Sequence, residues 1–233
     1  MLLVVLACAP DPGPPVAAPD APTAEIGPRE LVCPHEPPLH GTLQGPGGAS
    51  PVAVIAVGAQ MWDRWGDLPG VPWSHYRQIA AAIEAAGYTV FTFDKGGTGA
   101  TGGEATGVDA RADEVVAAVA CVRANGAVGP LVLIGHSAGG AVVNHAVERT
   151  RPAHVLTLNP QAAPTEFAPA SVIQSESEAN PMWEPTVIPG ADHLLFPEPA
   201  EAGVSTVDPR ALGAIVRVVG SVKGANQGPV LAP

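Results

Sequence analysis

Leu131-Val132-Leu133-Ile134-Gly135-His136-Ser137-Ala138-Gly139 sets four consecutive apolar residues directly before a G-x-S-x-G pattern, and the segment Ala138 to Thr150 continues it with helical character. Apolar residues unbroken in this way read as a buried parallel strand, so Ser137 falls in a tight strand-to-helix turn. Glycines are needed on either side of such a turn because a Cβ there would clash with neighbouring backbone. The serine hydroxyl then projects from the end of the sheet, with the positive end of a helix beneath it, which makes Ser137 a candidate nucleophile. His136 is its neighbour in sequence and points elsewhere, so it is expected to be packed rather than to act as the base.

Working outward, short β-branched runs alternate with helical patterns, the signature of a parallel sheet with crossover helices. Residues 51–57, 88–93, 155–158, 170–174 and 185–188 read as strands. Residues 74–86, 109–123 and 210–222 read as helices, closed after the first by Gly87 and after the second by Asn125-Gly126. His40 to Leu43 is expected as an antiparallel edge strand. The fold class is therefore α/β, a mostly parallel central sheet with helices on both faces, in one domain from about residue 30 to residue 233.

The chain has 233 residues, of which 46% are hydrophobic, enough for one sizeable core. Eleven Lys and Arg stand against 22 Asp and Glu, a formal charge of -11. That charge repels nucleic acid and anionic membrane surfaces and suits a neutral or cationic substrate. No uninterrupted apolar run reaches the roughly 18 residues of a membrane-spanning helix. Val5-Leu6-Ala7-Cys8 resembles a bacterial lipoprotein box, with residues 1–8 as the leader and residues 9–29 as a Pro-rich tether. The expectation is an exported protein, lipidated at Cys8 and touching a membrane only through that anchor. Cys33 and Cys121 are then free to pair in an oxidising compartment, the alternative being two unrelated buried thiols. No Cys-x-x-Cys pair or His/Cys cluster suggests a metal.

A catalytic serine needs a base within hydrogen-bond reach and an acid to orient it, and in this strand order they follow as acid, then histidine. His154 precedes a strand and so lies at the wrong end of the sheet. His193 follows the strand Thr186-Val187-Ile188 through Pro189-Gly190-Ala191-Asp192, on the carboxyl-end side where parallel sheets place their sites. The acid is sought in Ser175-Glu176-Ser177-Glu178-Ala179-Asn180. Glu178 is the first choice, Glu176 the second, and Asp192 stays open. Gly97-Thr98-Gly99-Ala100-Thr101-Gly102 also fits a dinucleotide fingerprint, but more loop follows it before any helix and no acidic residue ends a strand some ~20 residues on. No cofactor is expected.

Gly41-Thr42-Leu43, Val57-Gly58-Ala59-Gln60-Met61-Trp62-Asp63-Arg64, Asp94-Lys95-Gly96-Gly97-Thr98-Gly99, the Ser137 turn and Pro189-Gly190-Ala191-Asp192-His193 together resemble the serine α/β-hydrolase family over residues 40 to 220 or so. They are most similar to its bacterial branch with a His-Gly-Ser-Gly-Pro-x-Asp-Arg loop and an Asp-Lys-Arg-Gly-x-Gly loop. The resemblance implies the α/β-hydrolase fold, with an oxyanion hole formed by the backbone N–H groups of Ala59 and Ala138, and it aligns Glu178 with the family's acid. In this chain Val57 replaces the customary histidine and Gly96 the customary arginine. Only a short stretch separates Leu158 from Ala170, where relatives often insert a lid. A lidless, open site follows, as in the cutinase-like and dienelactone-hydrolase-like members.

The function expected is cleavage of an ester-like bond, with thioester and amide left open, in a small-molecule or polymeric substrate. A hydrolase-fold lipoprotein without catalysis, serving as a binding or envelope-structural module, is the alternative. Met61, Trp62, Trp65 and Trp73 near the first loop either line an acyl or aromatic site or pack the core.

Overall fold

The computed structural model describes residues 26–59, 61–67, 73–197 and 206–225. The leader, Cys8 and the tether up to residue 25 lie outside the described residues, as does Gln60. Eight strands form one sheet: β1 (Ile26–Cys33), β2 (Leu39–Gly45), β3 (Val52–Ala56), β4 (Thr89–Phe93), β5 (Leu131–His136), β6 (His154–Leu158), β7 (Ala170–Ser175) and β8 (Thr186–Ile188), in the spatial order β1-β2-β4-β3-β5-β6-β7-β8. The pairs β1/β2 and β2/β4 are antiparallel and all others parallel. His40 to Leu43 is thus in a strand of the expected direction, but it is not the edge. β1 covers it, and β1 begins at Ile26, taking in the last residues of the stretch expected as a tether.

The helices are α1 (His75–Ala85), α2 (Val108–Ala124), α3 (Ala138–Thr150) and α4 (Pro209–Ala225). Alternation along the strands makes two cores. Ala53, Ile55, Val132 and Ile134 face α1 and α4, with Ile79, Ile83, Ile215 and Val219 packed on them. Val52, Val54, Leu131 and Leu133 face α2 and α3, against Val115, Val122, Val143 and Val147. A strand covered on both faces has no solvent side, which is why β3 and residues 131–134 of β5 are apolar at every position.

Cys33 and Cys121 form a disulfide that ties the end of β1 to α2. The bridge closes a long loop, with a sequence separation of 88, so chain-entropy reasoning puts its stabilisation at up to about 4–5 kcal/mol. β6 passes to β7 through residues 159–169 without helix or strand, so no lid domain is inserted there. None of the described helices is long and apolar enough to cross a membrane.

Candidate active site

Ser137 sits between β5 and α3 with φ 55 and ψ -123, a conformation that L-residues adopt only when the surroundings impose it. The surroundings are backbone. A Cβ on Gly135 would lie 2.3 Å from the Gly139 carbonyl oxygen, and one on Gly139 2.3 Å from that of Ala56. The turn therefore closes only with glycine at both places, as the sequence pattern predicts. The Ser137 N–H donates to the Leu158 carbonyl at 2.9 Å, tying the turn to the end of β6.

His193 lies in the loop after β8. Its Nδ1 is 2.7 Å from Glu178 Oε1, and both side chains are about one-third exposed, at 37% and 34%. With Nδ1 engaged, Nε2 is the ring nitrogen left for a substrate or a nucleophile. Glu178 belongs to a 3-10 turn, Glu176–Glu178, directly after β7. Gln174 clamps that turn, its amide donating to the Glu178 carbonyl at 2.8 Å and its oxygen accepting from Asn180 N–H at 3.0 Å. The other two acid candidates are turned elsewhere. Glu176 accepts from the Gly190 N–H at 3.3 Å, and Asp192 Oδ1 accepts from the N–H groups of Leu194 and Phe196, both at 2.8 Å. His154 contacts Ser171 Oγ at the start of β6, at the opposite end of the sheet.

The loop after β3 runs beside Ser137, where a Cβ on Gly58 would come 3.4 Å from the serine Cβ. Ala59 follows directly. Among the described residues neither the Ala59 nor the Ala138 N–H meets a backbone acceptor, and Ala138, as the first residue of α3, has none within its helix. Three cations grip this loop. Arg111 Nη2 donates to the carbonyls of Val57 at 2.5 Å and Gly58 at 3.4 Å, Lys95 Nζ donates to the Trp62 carbonyl at 3.2 Å, and Arg64 pairs with Asp94 at 3.0 Å and with Glu30. Burial, with Arg111 nearby, pushes the Lys95 ammonium down to about 8.

Gly96 stands where a Cβ would meet Glu114 Oε1 at 2.8 Å, and its N–H donates to that oxygen at 3.0 Å. The Gly97 to Gly102 stretch closes on itself, with Gly97 N–H to the Gly102 carbonyl at 2.6 Å and a bridge between Thr98 and Gly102. It ends before α2 begins at Val108, and within it the Ala100 N–H donates to Asp94 Oδ2 at 2.9 Å. Trp62 is buried edge-on against Trp73 and His75, at 5.9 and 5.2 Å between ring centroids, which places it in the core; Met61 is exposed.

Sequence reading gave no site role to Tyr76, Asn159 or Arg111, and only a packed one to His136. Tyr76 and His136 are joined at 2.7 Å, Asn159 donates to the His193 carbonyl at 2.9 Å, and Arg111 holds the Val57 carbonyl. A charged residue on the apolar face of α2 and an asparagine directly after a strand were the available signals. A cavity of about 380 Å³ lies between α3 and the β6 to β7 connection, lined by Ala141, Asn144, Ala162, Pro164 and Phe167 among others. It does not include the His193 and Glu178 side chains. Among the described residues no cluster of His, Cys, Asp and Glu could hold a metal ion.

A family described as serine aminopeptidase, S33 (Hydrolase_4) matches residues 73–183, which span α1 to the end of the Glu178 turn region. Among curated proteins no sequence matches the chain. Similar solved structures include an α/β serine hydrolase without lid from Xanthomonas campestris, 20% identical over 93% of this chain and 100% of that one, TM-score 0.58. A dienelactone hydrolase from Anabaena variabilis is 20% identical over 85% and 98%, TM-score 0.60. A protein of unknown function from Agrobacterium tumefaciens, described as a putative alpha/beta hydrolase, is 16% identical over 89% and 100%, TM-score 0.63.

Proposed function

We propose, from the lidless α/β-hydrolase fold and the hydrolase family match over residues 73–183, that the chain cleaves an ester-like bond through an acyl-enzyme, with Ser137 as nucleophile, His193 as base and Glu178 as the acid that orients it. The observation that carries this reading is the 2.7 Å contact between His193 Nδ1 and Glu178 Oε1, at the same end of the sheet as the Ser137 turn. A carboxylate on Nδ1 fixes the tautomer whose Nε2 lone pair can accept a proton, and it stabilises the imidazolium that results.

The chemistry then runs in two halves. His193 Nε2 takes the proton from Ser137 Oγ, and the alkoxide attacks the carbonyl carbon of the substrate. The oxyanion is received by the N–H groups of Ala59 and Ala138, the second reinforced by the dipole of α3. The imidazolium returns its proton to the leaving alcohol, and water, activated by the same histidine, releases the acid and restores Ser137. The N–H of Ala59 is aimed by the peptide of Gly58, whose carbonyl Arg111 holds.

Export and lipidation at Cys8 belong to the same proposal. The disulfide between Cys33 and Cys121 supports it, because such bonds persist in oxidising compartments. A fluorophosphonate probe on folded protein tests the catalytic reading. Rapid labelling of Ser137, abolished in His193→Ala, is the expected outcome, whereas no labelling would favour a non-catalytic binding module.

A further inference from the structure

The hydrogen-bond inventory around Tyr76 and His136 closes in only one way. Tyr76 Oη accepts from the Gly58 N–H at 2.9 Å and lies 2.7 Å from His136 Nδ1, while His136 Nε2 lies 2.9 Å from the His193 carbonyl oxygen. A carbonyl can only accept, so His136 Nε2 must carry the ring proton and Nδ1 must be the acceptor. The single phenolic proton then goes from Tyr76 to Nδ1. The opposite tautomer would set a lone pair against the His193 carbonyl and leave the Tyr76 proton without a partner in a buried site. Both side chains are almost wholly buried. Burial raises the Tyr76 phenol and lowers the His136 imidazole to about 4, so the two keep these protonation states through neutral pH.

We propose that Tyr76 and His136 are positioning residues for the proposed hydrolysis. They form a directed chain, Gly58 N–H to Tyr76 O–H to His136 Nε2–H to the His193 carbonyl, that fixes the first loop and the base-bearing loop relative to Ser137. The inference rests on His193 being the base. The chain joins three separate segments at the carboxyl end of the sheet. Gly58 precedes the Ala59 N–H, His136 precedes Ser137, and the His193 carbonyl belongs to the residue whose ring meets Glu178. Asn159, directly after β6, secures the same carbonyl, with its amide at 2.9 Å, and takes the Ser175 N–H on its oxygen at 2.7 Å. Apolar side chains of similar size could fill the space but could not fix the two backbone groups. A directional contact fixes register because the alternative is a buried unpaired donor.

Three variants and a control test it, with p-nitrophenyl acetate as substrate and thermal melts confirming folding. Tyr76→Phe strands the Gly58 N–H and His136 Nδ1; a misplacement of the reacting groups by a fraction of an ångström is expected to lower kcat by about 10- to 100-fold. KM should change by less than about threefold, since no substrate contact is removed. His136→Leu, which keeps neither donor nor acceptor, should lose as much, and His136→Gln, which keeps both, should recover most of it. If His136→Leu fails to fold, Tyr76→Phe decides alone. A folded Tyr76→Phe with wild-type kcat, or with its whole loss in KM, overturns the proposal. His193→Ala separates the two levels: wild-type turnover there removes the base assignment itself, whereas lost turnover there with an unaffected Tyr76→Phe removes only the positioning chain.

Discussion

Ser137 and the His193–Glu178 pair face the same end of one sheet, yet they are held by opposite means. Ser137 is 5% exposed, and its strained dihedral angles are imposed by backbone packed so closely that no Cβ fits at Gly135 or Gly139. His193 and Glu178 are each about one-third exposed. They stand after a three-residue strand and on a single 3-10 turn, fixed by side-chain hydrogen bonds from Gln174 and Asn159. Ser137, the proposed nucleophile, is set by chain geometry and the proposed acid–base pair by individual polar contacts, so the two halves should fail differently when perturbed.

The largest effect should come from the chemistry they share. Ser137→Ala is expected to lower kcat on a nitrophenyl ester by about 10⁴-fold or more, and His193→Ala by nearly as much, because triad members act as a unit. The double variant should be little worse than either single one. Additive losses measured in that cycle would mean that the two halves do not work together.

Glu178→Gln comes next. It keeps the shape and a hydrogen bond but removes the charge that favours the imidazolium, and a loss of about 10²- to 10⁴-fold in kcat is expected. The contact lies near solvent, which weakens it and favours the lower end of that range. A loss as large as that of Ser137→Ala would show that the exposed half is held as stringently as the buried one.

A pair of glycines separates the two halves by stability instead of rate. Gly135→Ala drives a methyl group into the Gly139 carbonyl and should cost about 3 kcal/mol or more in urea unfolding. Gly190 has φ 63, and a Cβ added there would meet nothing within 4 Å. Gly190→Ala in the loop before His193 should therefore cost only the left-handed conformation, about 1–2 kcal/mol. Equal costs would deny that backbone contact distinguishes the halves.

This contrast also governs what the sequence could reveal. Backbone constraint leaves a mark on composition, so Gly135 and Gly139 around a serine, after four apolar residues, made the turn legible. The central sheet was legible for a related reason, since strands buried on both faces are mostly apolar, as in residues 52–56 and 131–134. Side-chain contacts leave no such mark. Glu176, Glu178 and Asp192 are equivalent in sequence, and only the 3-10 turn, clamped by Gln174, aims Glu178 at His193. His136 was read as packed, which is correct for its burial, but its two ring contacts depend on Tyr76, sixty residues away in the chain. β1 escaped notice because an edge strand with one exposed face and a Gly-Pro pair near its start lacks the apolar run that identifies the central strands.

The buried half also carries an acid sensitivity. Burial lowers His136 from 6.5 to about 4, against the hydrogen bond to the His193 carbonyl, which raises it, so between those values the unfolded chain binds more protons than the folded one. Stability from this ring is complete above the unfolded value and is lost as pH falls from 6.5 through about 4. By pH 5 the loss should be about 2 kcal/mol from His136 alone. His75, lowered to about 2 mainly by burial, adds a further loss over the same range. Urea unfolding at pH 7.5 and pH 5 measures the sum, and His136→Gln should remove its own share of about 2 kcal/mol.

The smallest expected effect is the most diagnostic for the exposed half. Glu176 lies two residues before Glu178 on the same turn, carries the same carboxyl group and was the nearest rival for its role. It accepts a 3.3 Å bond from the Gly190 N–H and is exposed, so its charge is spent on a loop contact and largely screened by water. Glu176→Gln keeps an acceptor for Gly190 and should leave kcat within about twofold of wild type, since surface changes away from buried contacts rarely exceed about 0.5 kcal/mol. If Glu176→Gln instead lost about 10²-fold or more while Glu178→Gln did not, the acid would be Glu176. The turn would then have to rotate on substrate binding, and the side-chain contacts of this half would be a resting arrangement that catalysis rearranges.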